Sequence, residues 1–213
     1  MFTGLVQEVG KIKRLQHIGG ALRWTISAPH CTAQLKTGDS INIAGACQTV
    51  ESVSGGLLSG TAIAGTLRKT TFAHWKVGSP VNLELALRAD DRFGGHVVSG
   101  HIDTPGRILR RRNTTSGTYL TVSHAVPFDH WIVEQGSIAF DGVSLTIAEK
   151  TPGTVTVALI PETLKRTTLG TLRVGDEVNI EFDQLVKAAI QHADVATRDS
   201  SRIDANLLVA SGW

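Results

Sequence analysis

Short segments of the chain alternate apolar and polar residues, and this alternation is typical of half-buried β-strands. Residues 22–28 set Leu, Trp and Ile against Arg, Thr and Ser at every second position. Further strand-like segments, separated by turns rich in glycine, cover residues 1–14, 40–53, 57–63 and 81–87. Residues 66–72 lack strict alternation and predict a short helix or an irregular connection. Short strands at nearly regular spacing predict an all-β architecture of small barrels.

The same order of segments occurs twice, which makes the chain a tandem duplication. Val81–Glu84 returns as Val178–Glu181, and Gly65–Thr71 returns as Glu162–Thr168, an offset of 162 − 65 = 97 residues. A copy of this length is a domain with a core of its own, because it is too long for one unit of a solenoid. The sequence therefore predicts two β-barrels in tandem.

The duplication divides the chain into an N-terminal barrel over 1–96, a C-terminal barrel over 97–183, and a remainder over 184–213. The remainder begins with apolar residues at helical spacing: Leu185, Val186, Ala189, Ile190 and Ala193. An amphipathic helix must bury this stripe, either on its own barrels or on another subunit, and we expect an oligomerisation element. Asp183, just before the stripe, is typical of a helix cap. Residues 199–213 receive no assignment.

Composition describes an ordinary globular protein, with 41% hydrophobic residues, 19% charged residues and a net charge of +2. The basic run Arg110–Arg112 precedes a turn and is more typical of a solvated hairpin than of a phosphate site, so nucleic acid is not an expected partner. Cys31 and Cys47 form neither a disulfide framework nor a metal spacing. The sequence predicts a cytoplasmic protein without a signal peptide, a membrane span or a metal site.

Candidate chemistry is confined to small polar residues at matching places in the two copies. They are Thr3 and Ser99, Cys47 and Ser144, Thr49 and Thr146, and the repeated blocks Thr66–Thr71 and Thr163–Thr168. Each has a structural alternative, because hydroxyl groups beside glycine often bond the backbone and a single cysteine is often buried. His96 and His101 also have a structural alternative, in which each is a packed and hydrogen-bonded histidine of the core.

A duplicated barrel gives two similar clefts, and the copies differ at Cys47 against Ser144, Leu5 against His101, and Gly65 against Glu162. Such a site is nearly symmetric but has unlike chemical groups on its two sides. It suits the binding of two copies of one molecule that then have different chemical roles.

Four motifs resemble those of the riboflavin synthase alpha-chain family. They are Met1–Val6, Gly94–Asp103, Asp141–Thr146 and Ile160–Thr168, which occur in the same order and spacing from Met1 to about Asp183. The resemblance implies two Greek-key β-barrels followed by a C-terminal α-helix, assembled as a homotrimer. It also implies the dismutation of two 6,7-dimethyl-8-ribityllumazine molecules to riboflavin and a ribitylamino-pyrimidinedione, without a metal or a bound cofactor. Association with lumazine synthase is a further partner that the resemblance suggests.

The resemblance also implies functional residues. An N-terminal pocket would use Gly4, Leu5, Val6, Cys47, Gln48, Thr49, Thr61, Ala62, Ile63, Ala64, Gly65 and Thr66. A C-terminal pocket would use Gly100, His101, Ile102, Gln135, Ser144, Leu145, Thr146, Leu159, Ile160, Pro161, Glu162, Thr163 and Leu164. The residues expected to carry chemistry are Cys47, His101, Ser144, Thr146 and Asp183. Histidine is a common general base at neutral pH, so proton transfer is the role expected for His101.

Three positions depart from the family's pattern. Gln48 stands where an apolar residue is usual, Gly65 replaces a glutamate, and Gln135 stands where lysine is common. Two of these departures fall in the N-terminal pocket, and this asymmetry raises an alternative of another class, although Cys47 and the motifs of the second copy are retained and favour the enzyme. In that alternative the chain is a non-catalytic lumazine or flavin carrier of the same superfamily.

Overall fold

The computed structural model describes residues 1–115 and 117–193. The strands of the first copy are β1 Glu8–Ile18, β2 Ala21–Ser27, β3 Ser40–Ile43, β4 Ala46–Thr49, β5 Ser52–Ser54, β6 Leu57–Ala62 and β7 Pro80–Leu85. Those of the second are β8 Thr104–Thr114, β9 Gly117–Ser123, β10 Ser137–Phe140, β11 Val143–Thr151, β12 Thr154–Leu159 and β13 Glu177–Phe182. The helices are α1 Pro29–Thr32, α2 Ala64–Lys69 and α3 Pro161–Arg166, with 3-10 turns at Thr71–His74, Val126–Trp131 and Thr168–Gly170.

The second copy forms a closed antiparallel barrel in the order β10-β11-β12-β9-β8-β13. The first copy forms a seven-stranded sheet in the order β4-β3-β7-β1-β2-β6-β5. Its two outermost strands follow each other in the chain, and only Val50 and Glu51 separate them. Together β4 and β5 correspond to the single long strand β11, so the first sheet curls round in the same way with one strand interrupted. The predicted all-β duplication is confirmed.

Each copy encloses its own apolar core, as the alternation predicts. Trp24, Ile26 and Phe72 are fully buried in the first core, and Phe140 and Ile180 are fully buried in the second. A third, smaller cluster lies between the barrels and consists of Phe2, Val98 and Ala139, with Cys47 packed against it.

The prediction of a strand from residue 1 is wrong for the first seven residues, since β1 begins at Glu8. The start of the chain pairs instead with the second copy, where Phe2 and Val98 exchange backbone hydrogen bonds of 2.8 and 3.1 Å. The undecided segment 66–72 forms the end of α2 and the beginning of a 3-10 turn. Alternation of apolar and polar residues predicts extended backbone, but it does not tell whether that backbone pairs with a neighbouring strand or with a distant segment.

The C-terminal segment is helical over residues 184–193. Asp183 caps this helix, because its carboxylate accepts the amide hydrogen of Leu185 at 2.9 Å. Lys187 anchors the helix to the second barrel through Asp103, with N–O distances of 2.8 and 3.0 Å. The rest of the predicted remainder, residues 194–213, lies outside the described residues.

Candidate functional site

Two buried glutamates hold matching segments of chain at the interface between the barrels. Glu84, on β7, accepts three hydrogen bonds from the segment Thr3–Gly4, at 2.6, 2.7 and 3.0 Å. Glu181, on β13, accepts the equivalent bonds from Ser99–Gly100, also at 2.6, 2.7 and 3.0 Å. Burial raises the pKa of both carboxyls, and the hydrogen bonds oppose that rise. The two segments are therefore fixed by hydrogen bonds to buried carboxyl groups.

Each held segment crosses to the other barrel. The carbonyl of Gly100 accepts the amide hydrogen of Cys47 at 2.8 Å, and the carbonyl of Gly4 accepts that of Ser144 at 2.8 Å. Both glycines have positive φ angles, 82° and 79°, and a β-carbon on either would lie 2.5 Å from the Cβ of its neighbour. Only glycine is accommodated there. The sequence-based pockets, which placed Gly4 with Cys47 and Gly100 with Ser144, are wrong because the segments cross.

Two buried asparagines tie the barrels together beside these crossings. The Asn82 side chain donates to the carbonyl of Asp141 at 3.0 Å and accepts the amide hydrogen of Thr168 at 2.8 Å. Asn179 makes the equivalent pair of bonds to the first barrel, each at 2.7 Å. The relative position of the two barrels is thus set by polar groups from both.

The first cleft is a cavity of about 380 Å³ at the crossing of Gly100 and Cys47. Its lining consists of Ala46, Cys47, Gln48, Ile63, Gly65, Thr66, Lys69, Thr70, Gly100, His101 and Ile102. Apolar groups such as Ile63 and Ile102 alternate with hydrogen-bonding groups such as Thr66 and His101. This mixed lining suits a flat heterocycle that carries a polar chain.

Eight of the predicted site residues therefore meet in one cavity. Four further residues of the predicted N-terminal pocket do not line this cavity: Thr49, Thr61, Ala62 and Ala64. Ala62 belongs to the core of the first barrel. Thr49 is exposed on β4, where alternation turns its side chain away from that of Gln48.

Ser144 has different surroundings from its counterpart Cys47. Its hydroxyl lies 2.7 Å from Nδ1 of His96, and Nε2 of His96 is buried without a hydrogen-bond partner among the described residues. Burial lowers the pKa of His96, and the charge of Asp183 opposes this effect. A β-carbon on Gly95 would lie 3.1 Å from the Cβ of Ser144, so the chain that joins the barrels covers Ser144 closely.

A second cleft of about 420 Å³ is lined in part by the start of the chain and by this joining segment. Its lining consists of Thr3, Leu5, Val6, Gln7, His30, Glu84, Leu85, Leu87, Asp91, Arg92 and Arg166. Three of these match the first cleft by the internal repeat: Leu5 matches His101, Val6 matches Ile102, and Arg166 matches Lys69. The two clefts thus share three positions related by the duplication, but the charged residues that line them differ.

The remaining predicted residues of the second copy lie on β11, β12 and α3. Leu145 and Leu159 are buried in the second core, and Leu164 packs against it. The others precede or form the start of α3, namely Ile160, Pro161, Glu162 and Thr163. Ile160 is exposed like its counterpart Ile63.

Thr146, Gln135 and Asp183 are placed apart from the first cleft. Thr146 is exposed on β11, opposite Ser137. Gln135 stands in the turn before β10 with a left-handed φ of 63°. Asp183 combines its capping bond with an electrostatic effect on His96.

Sequence reasoning missed the two buried glutamates that build the site. Glu181 fixes Gly100 in the first cleft, and Glu84 fixes Gly4 at its crossing to Ser144. Lys69 and Thr70 lie in one of the repeated blocks that the sequence singled out, and they line the first cleft although they were outside the predicted pocket. The repeated Val-Asn-Leu-Glu and Val-Asn-Ile-Glu segments carried the signal for the glutamates. Their polar residues interrupt strands that are buried on both faces, and such residues need partners.

Two further cavities have volumes of about 540 Å³ each, and one of them shares Gln7, Leu85 and Asp91 with the second cleft. The other lies between the barrels, where Glu177 contacts Arg107 at 2.8 Å and His74 at 2.9 Å. Within residues 1–115 and 117–193, no group of three or more His, Cys, Asp or Glu is placed to hold a metal ion. No helix in this described part is long and apolar enough to cross a membrane.

Comparison with known proteins agrees with the duplicated architecture. The lumazine binding domain family matches the chain twice, over residues 3–86 and 99–183. The chain thus contains two lumazine binding domains, one in each copy. A riboflavin synthase of Actinobacillus pleuropneumoniae is 39% identical over 183 residues, which are 86% of this chain and 85% of that protein. The chain belongs to the riboflavin synthase family.

Solved structures of LumP have the same fold. LumP complexed with 6,7-dimethyl-8-(1'-D-ribityl) lumazine superimposes with a TM-score of 0.77 at 26% identity, covering 85% of this chain and 98% of LumP. LumP complexed with riboflavin gives a TM-score of 0.79 at 27% identity, covering 85% and 99%. The family resemblance and the expected architecture are confirmed.

Proposed function

We propose that this chain is a riboflavin synthase, which moves a four-carbon unit between two molecules of 6,7-dimethyl-8-ribityllumazine. The products are riboflavin and 5-amino-6-ribitylamino-pyrimidinedione. The observation that carries the proposal is the first cleft, where Cys47 and His101 from different copies lie on either side of the Gly100 crossing. The 39% identity to a synthase, against 26–27% to LumP, supports the enzyme over the carrier.

The reaction needs a proton removed from a ring methyl of one substrate and a nucleophile added to a ring carbon of the other. We assign the proton transfer to His101, which is exposed in the first cleft. Its backbone is fixed by the Ser99 hydroxyl, which accepts the His101 amide hydrogen at 3.2 Å, and by Glu181 behind Ser99. Cys47 and Ser144 are the candidate nucleophiles, and Thr146 and Asp183 are assigned supporting roles.

The full site needs two substrates face to face, and one chain places its clefts apart. We propose a homotrimer in which the N-terminal barrel of one subunit faces the C-terminal barrel of its neighbour. Exposed apolar groups at matching positions of the two copies support this arrangement, since Ile63 in the first cleft is 66% exposed and its counterpart Ile160 is 61% exposed. Holding two reactants in register is worth several kcal/mol of the barrier, on the order of 7–11. A cytoplasmic location and association with lumazine synthase belong to the same proposal.

The test is to mix the protein with 6,7-dimethyl-8-ribityllumazine and follow riboflavin by absorbance. We expect turnover, with two substrates consumed for each riboflavin formed. Tight binding without turnover would instead identify a carrier, and would point to Gln48 and Gly65 as the altered positions. Absence of both binding and turnover would rule out both functions.

His101→Ala tests the assigned base in the same assay. We expect kcat to fall about 100-fold or more, the usual cost of losing a general base, with little change in substrate binding. His17→Ala, at an exposed histidine on β1, is the matched control and keeps full turnover. Full activity in a folded His101→Ala protein would show that another group moves the proton.

A further inference from the structure

The last strand of each copy is held by a side chain that lies three residues after the crossing glycine. In the first copy, Oε1 of Gln7 accepts the amide hydrogen of Leu85, at the end of β7, at 3.0 Å. In the second copy, Oδ2 of Asp103 accepts that of Phe182, at the end of β13, at 2.9 Å. The two bonds match by the internal repeat, since 182 − 85 = 97, and a neutral amide is enough for the first. The negative charge of Asp103 is therefore not needed for this bond.

That charge faces Lys187, on the C-terminal helix. The ammonium group lies 2.8 and 3.0 Å from the two carboxylate oxygens of Asp103, and 5.7 Å from the centre of the Trp131 ring. The side chains of Lys187 and Asp103 are only 15% and 16% exposed. Both charges lose solvation when such a pair forms, so its net contribution to stability is small. The pair bears more on geometry than on stability.

The ion pair encloses Asp183, the residue at which the helix begins. Asp103 binds Phe182, the residue before Asp183, and also binds Lys187, one turn after it. The amide of Lys187 donates to the carbonyl of Asp183 at 3.1 Å, and the Asp183 carboxylate accepts the amide hydrogen of Leu185. The backbone and the carboxylate of Asp183 are thus fixed from both sides.

The Asp183 carboxylate acts on the buried pair formed by His96 and Ser144. Nδ1 of His96 lies 2.7 Å from the Ser144 hydroxyl. The charge of Asp183 raises the pKa of His96 against the larger, opposite effect of burial. Because a charge acts according to its distance, the effect of Asp183 depends on where the helix holds it.

We propose that Asp103 and Lys187 are positioning residues for the dismutation, and that their ion pair fixes the Asp183 carboxylate relative to His96 and Ser144. The C-terminal helix then serves the site as well as the assembly. The pair lies outside the described linings of both clefts, so breaking it leaves the walls that bind substrate in place. A displaced catalytic group lowers the rate more than the affinity. This inference rests on the proposed function for the reaction itself.

The chain suggests variants that separate charge from folding. Asp103→Asn keeps an oxygen for the amide of Phe182, as Gln7 does in the first copy, and removes the ion pair. Lys187→Met removes the ammonium group and keeps an unbranched stem, whereas Lys187→Arg keeps a cation. Asp183→Asn keeps a good helix cap and removes the charge.

The experiment measures steady-state formation of riboflavin from 6,7-dimethyl-8-ribityllumazine. We expect Asp103→Asn and Lys187→Met each to lower kcat about tenfold, with KM changed by less than about twofold, and Lys187→Arg to recover most of the loss. Lys187→Met combined with Asp183→Asn should lower kcat no further than Asp183→Asn alone, because both changes act through one carboxylate. Lys13→Met, at an exposed lysine on β1, is the matched control and should keep full turnover.

Sedimentation and urea unfolding of each variant separate positioning from assembly and folding. Normal kcat in Asp103→Asn and Lys187→Met, or a loss of turnover that appears only with dissociation or unfolding, would overturn the inference. Losses that multiply in the double variant would also overturn it, since Lys187 would then act by another route, such as its effect on Glu181. A wild-type chain that forms no riboflavin would instead defeat the proposed function, and this inference with it.

Discussion

Asp141 is a buried carboxyl at the turn between β10 and β11, where the first copy has Ala44. Its Oδ1 accepts the amide hydrogen of Asn179 at 2.8 Å. Burial raises the pKa of Asp141 from 3.8 to about 7, and this hydrogen bond opposes the rise only in part. The folded chain thus binds this proton more tightly than the unfolded chain. Its contribution to stability is complete below pH 3.8 and is lost as the pH rises towards 7.

Asp141→Asn keeps an oxygen that can accept the same amide hydrogen and removes the titration. We expect the free energy of unfolding of the wild type to fall relative to this variant by up to about 4 kcal/mol between pH 4 and 7. Urea unfolding at several pH values measures the difference. Asp39→Asn, at an acid in an exposed turn, is the control. Parallel curves for wild type and Asp141→Asn would contradict the raised pKa.

At the level of elements, strands β7 and β13 each supply an asparagine, Asn82 and Asn179, whose side chain forms hydrogen bonds between the barrels. Asn82→Ala removes two buried hydrogen bonds and leaves the amide of Thr168 and the carbonyl of Asp141 without that partner. We expect a loss of about 2–4 kcal/mol in the free energy of unfolding, and a similar loss for Asn179→Ala. Chemical denaturation measures both.

Asn113→Ala is the control for these ties, because Asn113 is exposed and the hydrogen bond that its side chain accepts from Thr118 lies within a single hairpin. It should cost about 1 kcal/mol or less, since only this hydrogen bond is lost and no contact between the barrels is touched. An equal loss in the free energy of unfolding for Asn82→Ala and Asn113→Ala would show that Asn82 and Asn179 do not set the packing of the barrels.

For the whole molecule, the C-terminal helix is the predicted subunit contact. Leu185 is 66% exposed on that helix. We expect Leu185→Glu to dissociate the proposed trimer and to lower turnover at least tenfold, since each site would lose the facing cleft. Sedimentation and riboflavin formation measure the two effects. Gln184→Glu adds the same charge one residue earlier, and it should leave assembly and turnover unchanged.

Much of the fold was predictable because its causes are local or repeated. Alternation in segments such as 22–28 follows from the period of two in a strand with one buried face. The internal repeat gave the number of barrels, and the family motifs gave the expected function. The start of β1 was misplaced because Phe2 pairs with Val98, nearly 100 residues away, and local patterns do not carry such partners.

The sequence by itself determined the strands, the duplication, the family and most of the residues that surround the first cleft. Only the tertiary structure decided how they combine. Gly100 meets Cys47 and Gly4 meets Ser144 because buried glutamates hold each segment across the barrel interface. The same packing covers Ser144 with Gly95 and leaves Lys69 open to the first cleft. These contacts join residues that are far apart in the chain, so they form only when the two folded barrels pack against each other.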